Sequence, residues 1–555
     1  MSRGSDRLRP VVLALAALLL AGWFSREISD TDFWWHLRTG QYLAERHTLP
    51  VPDPFAWTTA SAPPAYPGEE QTRYFNLTHE WLAQLLMYLV YRVAGFSGVA
   101  LARALMLTVF CGLAGAIAYR RTGHFYRAAA CALAAGGVAA AFAQDRPYVA
   151  TFLFLALTAA ILELRPRWIW ALPPLFVMWA NCHGGFFLGW VVVGAWAIER
   201  RERRMWLAAA ACVLASGLNP NGFNVLRTLA AYRESYMQTR LLEWAPARLW
   251  PPGLFSVLLA GGAAVLLWAR RRVRVADWLI FGTFAAAALA ASRNTILIGF
   301  YAPIVMASYL PAAKKRDYSA VLGWGGGLAL AVGLAFGIAQ GGFFRPRVNP
   351  WKWPAGAADF LAAHGVTQPL FNTYEYGGYL MWRLWPRERV FIDGRALSDS
   401  LFLDYARILY NHDATGGKSG EELLRRYGVE AIVMNGFEYV TGNLYLLAPA
   451  LADPRRSEWR LVYSDAQAIV LMRHPPAGVE PLGSLEVLDH LEAECGLHIE
   501  HEPQYPRCAR SLGQVFLKLG DAARARRWIG EYVRLKTEPD AEAEQAYARL
   551  LSAGR

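Results

Sequence analysis

Charged residues are scarce in this 555-residue chain: 18% of the residues are Asp, Glu, Lys or Arg, whereas 55% are hydrophobic. Mean hydropathy is +0.19, and an ordinary water-soluble domain carries about 25% charged residues. The apolar residues also occur in long runs over the first two thirds of the chain. These features exclude a wholly water-soluble fold and indicate an integral membrane protein followed by a more polar region.

Lysine is rare, and arginine carries most of the positive charge behind the net charge of +12. No basic face interleaved with aromatic residues is visible, so we exclude nucleic acid as a partner. The basic clusters instead flank apolar runs, where positive residues fix membrane orientation. These clusters are residues 120–121, 200–204, 270–274 and 314–316.

No convincing signal-peptide cleavage site follows the first apolar run, residues 11–24. Because Arg3, Arg7 and Arg9 precede this run, the pattern predicts an uncleaved anchor with a cytoplasmic N-terminus. The further predicted spans are residues 98–119, 127–144, 148–164, 167–181, 184–199, 205–218, 253–269, 275–291, 296–311 and 319–339.

The basic clusters all fall inside the cell only if residues 80–96 do not cross the bilayer but lie along its outer surface. Eleven spans result, and the C-terminal region lies outside a bacterial cytoplasmic membrane. Acids, imidazoles and amides then gather at the outer face, in the first outer loop (25–97) and in later turns. The members of this group that we select as candidate site residues are Asp30, Asp32, His36, Arg38, His79, Glu80, Arg146, His183 and Arg293.

The order of elements around these residues resembles the membrane glycosyltransferases of the GT-C fold, with the protein-mannosyltransferase-like and aminoarabinose-transferase-like branches nearest. An anchor helix, an outer loop with an early acid, a Pro-rich turn and an interfacial helix precede an arginine that opens the next span. The resemblance covers roughly residues 1–340, and the interfacial helix departs from it by opening Thr-His-Glu-Trp where many relatives carry Lys-Pro-Pro. The matching residues are Asp30, Thr31, Asp32, Trp35, His36, Leu37, Gly40, Pro50, His79, Glu80, Trp81, Leu82, Gly95 and Arg103.

The resemblance implies a sugar donor linked to a polyprenyl phosphate, a lipid, glycan or protein acceptor, and a base in the first outer loop. We assign Asp32 as the base and Asp30 as its substitute or partner. Arginines offer forked donors to phosphate oxygens, which makes Arg38, Arg103, Arg146 and Arg293 candidates for holding the donor. No cofactor is required. His36, His79 and Glu80 either orient the acceptor or bind a divalent cation, and His183 is a further substrate-binding candidate.

Simpler roles for the same residues stay open. The two aspartates also suit the N-terminus of the following helix, where acids are favoured. Arg38 and Arg103 could anchor in lipid headgroups, Arg146 could belong only to a turn, and His183 could only hydrogen-bond a helix end.

At the level of function, the alternatives are an envelope polysaccharide polymerase or ligase, a non-catalytic membrane partner of such a system, or a transporter. Transporters of many folds show internal repeats and polar residues at mid-membrane. The chain has no visible internal symmetry, and its polar residues lie at span ends. This pattern favours the enzyme.

Residues 341–478 predict a soluble α/β domain with a mainly parallel sheet, from strands at 369–373, 389–393, 429–434, 460–464 and 467–472. Asp393 and Arg395 follow the second of these strands, and they form either a ligand-binding edge or a surface loop. The glycines at 377–378 lack the spacing of a dinucleotide-binding loop, so no nucleotide is implied.

Residues 479–555 predict a short helical tail, with helices at 484–495, 505–519, 522–536 and 540–552, that resembles a tetratricopeptide hairpin. The tail either caps the α/β domain or offers a groove to a protein partner. Cys495 and Cys508 both lie outside in this topology, so a disulfide between them is plausible. The remaining cysteines lie in or beside spans and need no pairing: Cys111, Cys131, Cys182 and Cys212.

Overall fold

A computed structural model of the chain describes residues 2–311, 319–367, 369–411, 419–438, 440–451 and 458–553. The predicted basic cluster at 314–316 lies outside these residues. The fold is mostly helical, with a small sheet region in the C-terminal part. Two compact units are present, and neither is continuous in sequence: unit 1 contains residues 1–51 and 66–349, and unit 2 contains residues 52–65 and 350–555.

Unit 1 is helical. Its α-helices are α1 (Ser2–Phe24), α2 (Phe33–Arg46), α3 (Glu69–Thr78), α4 (Trp81–Thr122), α5 (Phe125–Ala139), α6 (Tyr148–Leu164), α7 (Leu172–Cys182), α8 (Phe187–Arg200), α9 (Arg203–Ser216), α10 (Val225–Ala231), α11 (Leu254–Trp268), α12 (Val275–Ala290), α13 (Thr295–Tyr309) and α14 (Ser319–Ala339).

Three helical stretches in the described ranges are long and apolar enough to cross a membrane: Glu69–Thr122, Phe125–Phe142 and Val321–Ala339. Shorter apolar helices cover Leu8–Phe24, Tyr148–Leu164, Leu254–Trp268 and Val275–Ala290. A perpendicular span needs about 20 residues, so the shorter helices do not by themselves reach that length. The predicted number of eleven spans therefore stays a prediction.

The long helix α4 is broken at Gly95, whose φ of 63° lies in the left-handed region that glycine tolerates. The break separates residues 81–94 from the apolar continuation to Thr122, at the boundary that the sequence predicts between 80–96 and 98–119. Near its start, α4 packs closely on α2. A Cβ at Gly40 would lie 2.1 Å from the carbonyl oxygen of Gln84, so only glycine permits this approach.

A buried charge cluster in unit 1 involves two arginines from the predicted orientation clusters. Arg121 pairs with Glu163 and, at 3.1 Å, with Asp277. Arg274 pairs with the same two acids at 2.9 and 3.1 Å. The hydroxyl of Tyr301 also donates to Asp277 at 2.6 Å. These two arginines therefore neutralise buried carboxylates in addition to any role in orientation.

Unit 2 contains a four-stranded sheet with strand order β1-β2-β6-β5 and a separate β3-β4 pair. Its elements up to residue 472 are α15 (Ala355–Ala363), β1 (Leu370–Asn372), α16 (Tyr374–Leu384), α17 (Asp399–Tyr410), α18 (Gly420–Arg426), β2 (Ala431–Met434), β3 (Phe437–Glu438), β4 (Asn443–Leu444), α19 (Leu447–Leu451), β5 (Arg460–Ser464) and β6 (Ile469–Met472).

The prediction of a mainly parallel sheet was wrong. Only β1 and β2 are parallel, whereas β6 runs antiparallel to both β2 and β5. For the β5–β6 pair the physical reason is the short turn between the strands, where the Asp465 carboxylate accepts the backbone N–H groups of Gln467 and Ala468. A connection this short can join only antiparallel strands.

The prediction of a strand at 389–393 was also wrong, because the side chain of Asn372 binds backbone groups of Phe391 and Ile392. Within this stretch only Val390 makes a bridge, and its partner is Ala56 of the first loop. Backbone hydrogen bonds from Trp57 to Val390 and from Val390 to Phe55 complete this contact at 3.1 and 3.0 Å. We call residues 52–65 the strap, because they belong to unit 2 although they lie in the first 100 residues.

The tail consists of α20 (Glu486–His501), α21 (Arg507–Lys518), α22 (Ala522–Leu535) and α23 (Ala541–Ala553). Its buried side chains, including Leu491, Phe516 and Trp528, belong to the same hydrophobic core as strands β2, β5 and β6. Cys495 of α20 and Cys508 of α21 form a disulfide. The helical tail and the sheet therefore share one core.

Candidate functional site

Two aspartates and one arginine form the centre of the candidate site. Arg146 binds Asp30 with two nitrogens, at 2.6 Å through Nε and 2.9 Å through Nη2. Its third nitrogen, Nη1, lies 3.0 Å from Asp32 Oδ2. The Asp30 carboxylate also accepts the backbone N–H of Asp32 at 2.9 Å, which fixes the two acids relative to each other.

The loop that carries these acids is clamped by Arg103. This buried side chain donates to the carbonyl oxygens of Phe24, at 3.0 Å, and Arg26, and it pairs with Asp145. All three guanidinium nitrogens are therefore engaged within the protein. Arg103 is bound here to two carbonyl groups and one carboxylate. It orders the turn before Asp30 and the residue next to Arg146.

The two aspartates have different pKa values. Burial raises the pKa of Asp32 to about 7, with a further contribution from the negative charge of Asp30, although Arg146 opposes the rise. Burial also acts on Asp30, but the charge and two hydrogen bonds of Arg146 lower its pKa overall. Environments that give two neighbouring carboxyl groups such different pKa values are typical of acid–base sites.

A second group surrounds Glu80, which lies between α3 and α4. His79 Nε2 and His183 Nε2 approach Glu80 Oε1 at 3.3 and 3.7 Å, and His36 Nδ1 approaches Oε2 at 3.6 Å. The packing at Gly40 explains the position of His36, because the two residues share one face of α2. An indole hydrogen bond from Trp81 to Asn181, at 2.7 Å, joins the start of α4 to the end of α7 beside His183.

Burial sets the charge of two of these imidazoles, and hydrogen bonds determine which ring nitrogen carries a proton in His183 and His79. Burial lowers the pKa of His36 to about 4 and that of His183 to about 3, so both are neutral near pH 7. His183 Nδ1 accepts the backbone N–H of Gly185 at 3.0 Å, which leaves its proton on Nε2, toward Glu80. His79 instead donates through Nδ1 to the Phe75 carbonyl at 2.8 Å.

Arg293 lies in the short turn between α12 and α13 and contacts residues that the sequence analysis did not select. Its Nη1 lies 3.2 Å from Glu243 Oε1. Its guanidinium carbon lies over Trp244, 4.7 Å from the centre of the ring. Glu243 Oε2 is 3.7 Å from Arg146 Nη1, so one carboxylate lies between both arginines. Glu243 belongs to an outer loop of the predicted topology, but no sequence pattern distinguishes it from Glu234.

The structure thus brings most of the candidate residues together in unit 1. Direct contacts join Asp30, Asp32 and Arg146 to Glu243 and Arg293. The electrostatic influences on His36 come from both groups, since Glu80, Arg146, Asp30 and His79 all act on it. The acid pair and the imidazole group are therefore adjacent parts of one site.

Three of the simpler roles can be compared with the geometry. Asp32 precedes α2 but makes no capping hydrogen bond with its side chain, whereas Asp30 accepts the Asp32 N–H as an acid in a turn does. His183 does hydrogen-bond a helix end through Nδ1 while its Nε2 approaches Glu80. Arg38 is buried on α2, where it donates to Gln41 at 2.9 Å.

No family model matches the chain, and no curated protein is significantly similar to it. Among the residues that the structure describes, no group of three or more His, Cys, Asp or Glu side chains has the geometry to hold a metal ion. What the site can do must therefore be inferred from its own chemistry: a carboxyl group with a pKa near 7, two arginines and neutral imidazoles.

Proposed function

We propose that this chain is a membrane glycosyltransferase that moves a sugar from a polyprenyl-phosphate donor to a lipid, glycan or protein acceptor. The observation that carries the proposal is the arrangement of Asp32, with its pKa near 7, within 3.0 Å of Arg146. A carboxylate that changes protonation near pH 7 suits a general base. A second arginine, Arg293, lies close enough to share Glu243 with Arg146.

In the proposed step, a deprotonated Asp32 takes the proton of the acceptor hydroxyl as the acceptor oxygen attacks C1 of the sugar. The bond between C1 and the phosphate oxygen breaks, and polyprenyl phosphate leaves with the bonding electron pair. Arg293 stabilises the negative charge on the departing phosphate. His36 and the Glu80 group lie beside the acid pair and orient the acceptor.

We also propose a GT-C-like membrane domain of eleven spans with the first outer loop and unit 2 on the outer face. The strap supports this topology. Residues 52–65 and 350–555 form one compact unit, so a membrane-spanning chain must cross the bilayer an even number of times between them. The ten spans predicted after residue 97 satisfy this condition.

The decisive experiment uses the full chain in lipid nanodiscs with a panel of polyprenyl-phosphate hexoses and pentoses and an envelope extract as acceptor. Release of polyprenyl monophosphate, measured by mass spectrometry, reports transfer whatever the sugar or acceptor. We expect Asp32→Asn to lower this release about 10²- to 10⁴-fold, the usual contribution of a general base. The Asp359→Asn variant, altered at an acid that is 63% exposed in unit 2, serves as the matched control.

An Asp32→Asn variant that is folded and as active as the wild type would contradict the assignment of the base. Absence of release with every donor would contradict the transferase itself. A polymerase or ligase would instead release polyprenyl diphosphate from lipid-diphosphate substrates, so the same mass spectra separate this alternative.

A further inference from the structure

The two arginines of the site differ in how their donors are used. Arg146 directs all three nitrogens to the carboxylates of Asp30 and Asp32. Arg293 makes one side-chain contact to a carboxylate in the described part of the chain, through Nη1 to Glu243. A guanidinium has five N–H donors. In the described contacts Arg293 therefore has more donors left for a phosphate than Arg146, which positions the acid pair.

The loop that carries Glu243 is held by Ser292, the residue next to Arg293. The Ser292 backbone N–H donates to the Ala245 carbonyl at 2.8 Å, and the Ser292 hydroxyl donates to the Glu243 carbonyl at 3.2 Å. Trp244 lies between Arg293, which stacks on its face, and Tyr232, at a ring distance of 5.6 Å. The Glu243 side chain itself is 36% exposed, and its contacts to Arg293 and Arg146 are 3.2 and 3.7 Å long. The loop is thus anchored, but the carboxylate can rotate away.

We propose that Glu243 is an internal anion that occupies the phosphate position on Arg293 and that the donor phosphate displaces it. This inference rests on the proposed function and names how the donor is recognised. Trp244 keeps the guanidinium plane in place during the exchange, because its stacking contact does not involve the Glu243 carboxylate.

The charges favour a phosphodiester with a single negative charge. When Glu243 rotates away, one carboxylate charge beside Arg293 and Arg146 is replaced by one phosphate charge, so the net charge of the site is unchanged. A diphosphate would add a second negative charge close to Asp30 and Asp32, which like-charge repulsion opposes. The site therefore suits a donor in which one phosphate joins the sugar to the lipid.

Binding can be measured without transfer, using the full chain in nanodiscs. The probe is citronellyl methyl phosphate, a phosphodiester with a single negative charge. We expect Glu243→Gln to tighten binding by about fivefold, since one partly exposed competing charge is worth up to about 1 kcal/mol. The salt dependence of binding is expected to stay, because Arg293 remains charged. Glu234→Gln, which removes an exposed acid from the same region, is the matched control and should leave binding unchanged.

The double variant separates displacement from a structural role. We expect Arg293→Gln to weaken binding at least tenfold and Glu243→Gln to give no gain in the Arg293→Gln background. Equal affinities of the Glu243→Gln and Glu234→Gln variants, weaker binding by Glu243→Gln, or a gain that persists without Arg293 would each overturn the inference. A chain that binds the probe as expected but transfers no sugar would contradict the proposed function alone.

Discussion

Asp53 and Arg395 are 342 positions apart in the sequence, yet they form a buried two-point ion pair at 2.7 and 3.0 Å. Arg395 also binds Asp393 through Nε and Nη2 at 2.7 and 2.6 Å, and both side chains of the Asp53 pair are 2% exposed or less. This contact joins the strap to the rest of unit 2. The sequence left two roles open for Asp393 and Arg395, a ligand-binding edge or a surface loop. In the structure they have neither role and belong to a buried ion-pair cluster, which we call the clamp.

Removing one partner of this clamp should loosen unit 2. Asp53→Asn leaves Arg395 with one carboxylate instead of two, and breaking a buried ion pair costs about 3–5 kcal/mol of unfolding free energy. We expect faster proteolysis within residues 350–555 of the full chain. Asp359→Asn, which breaks an exposed pair with Arg383, should cost at most about 1 kcal/mol. Equal protection of the two variants would contradict the role of the strap.

Cysteine labelling tests the proposed topology. Ala60→Cys in the strap and Glu480→Cys in unit 2 alter exposed residues of one compact unit. A membrane-impermeant maleimide should therefore label both in intact spheroplasts. Glu202→Cys, in the basic turn between α8 and α9, should be labelled only after lysis. Labelling of Glu202→Cys in intact spheroplasts would exclude the eleven-span arrangement.

The pH profile tests the assignment of Asp32. A base must be deprotonated to act, so kcat/KM for transfer should rise with pH and level off above about 7, the pKa to which burial and Asp30 raise this carboxyl. Asp30→Asn removes one of the charges that raise this pKa. We expect the ascending limb to move to lower pH in this variant. A limb that is unchanged, or that moves upward, would show that another group titrates.

The disulfide in the tail is expected to stabilise unit 2. Cys495 and Cys508 are separated by 13 positions, and closing a loop of about this size contributes about 3 kcal/mol. Replacing both with serine should lower the unfolding free energy of unit 2 by that order, measured by denaturant titration with pulse proteolysis of the full chain. Reduction of the wild type provides the control, because it should reproduce the double variant. Stability unaffected by either change would contradict this prediction.

Local and periodic patterns predicted most of the helices. The break at Gly95 falls where an interfacial segment was expected to end, because glycine and apolar length mark it in the sequence. Asp30, Asp32 and Arg146 could be grouped because an alternating topology assigns them to one face of the membrane. Their actual contact, with Arg146 between the two acids, follows from packing that no single segment encodes.

Other features depend on contacts between distant segments. The strap could not be predicted, since Ala56 and Val390 form only one bridge and no periodic pattern links them. Arg103 was considered as a phosphate ligand or a headgroup anchor, but its carbonyl partners carry no side-chain signal in the sequence. Glu243 was not selected because a single acid in a long loop has no distinguishing spacing.

The two segments that form unit 2 are synthesised at different times, because residues 66–349 lie between them in the sequence. The ribosome completes the strap before it makes residues 66–349, and at about 5–20 residues per second this interval lasts roughly 15–60 s. During that time Phe55 and Trp57 have emerged without the later residues on which they pack, Trp385 and Phe391. Nascent chains that stall during synthesis of the apolar helices therefore display an aromatic segment that invites aggregation or chaperone binding.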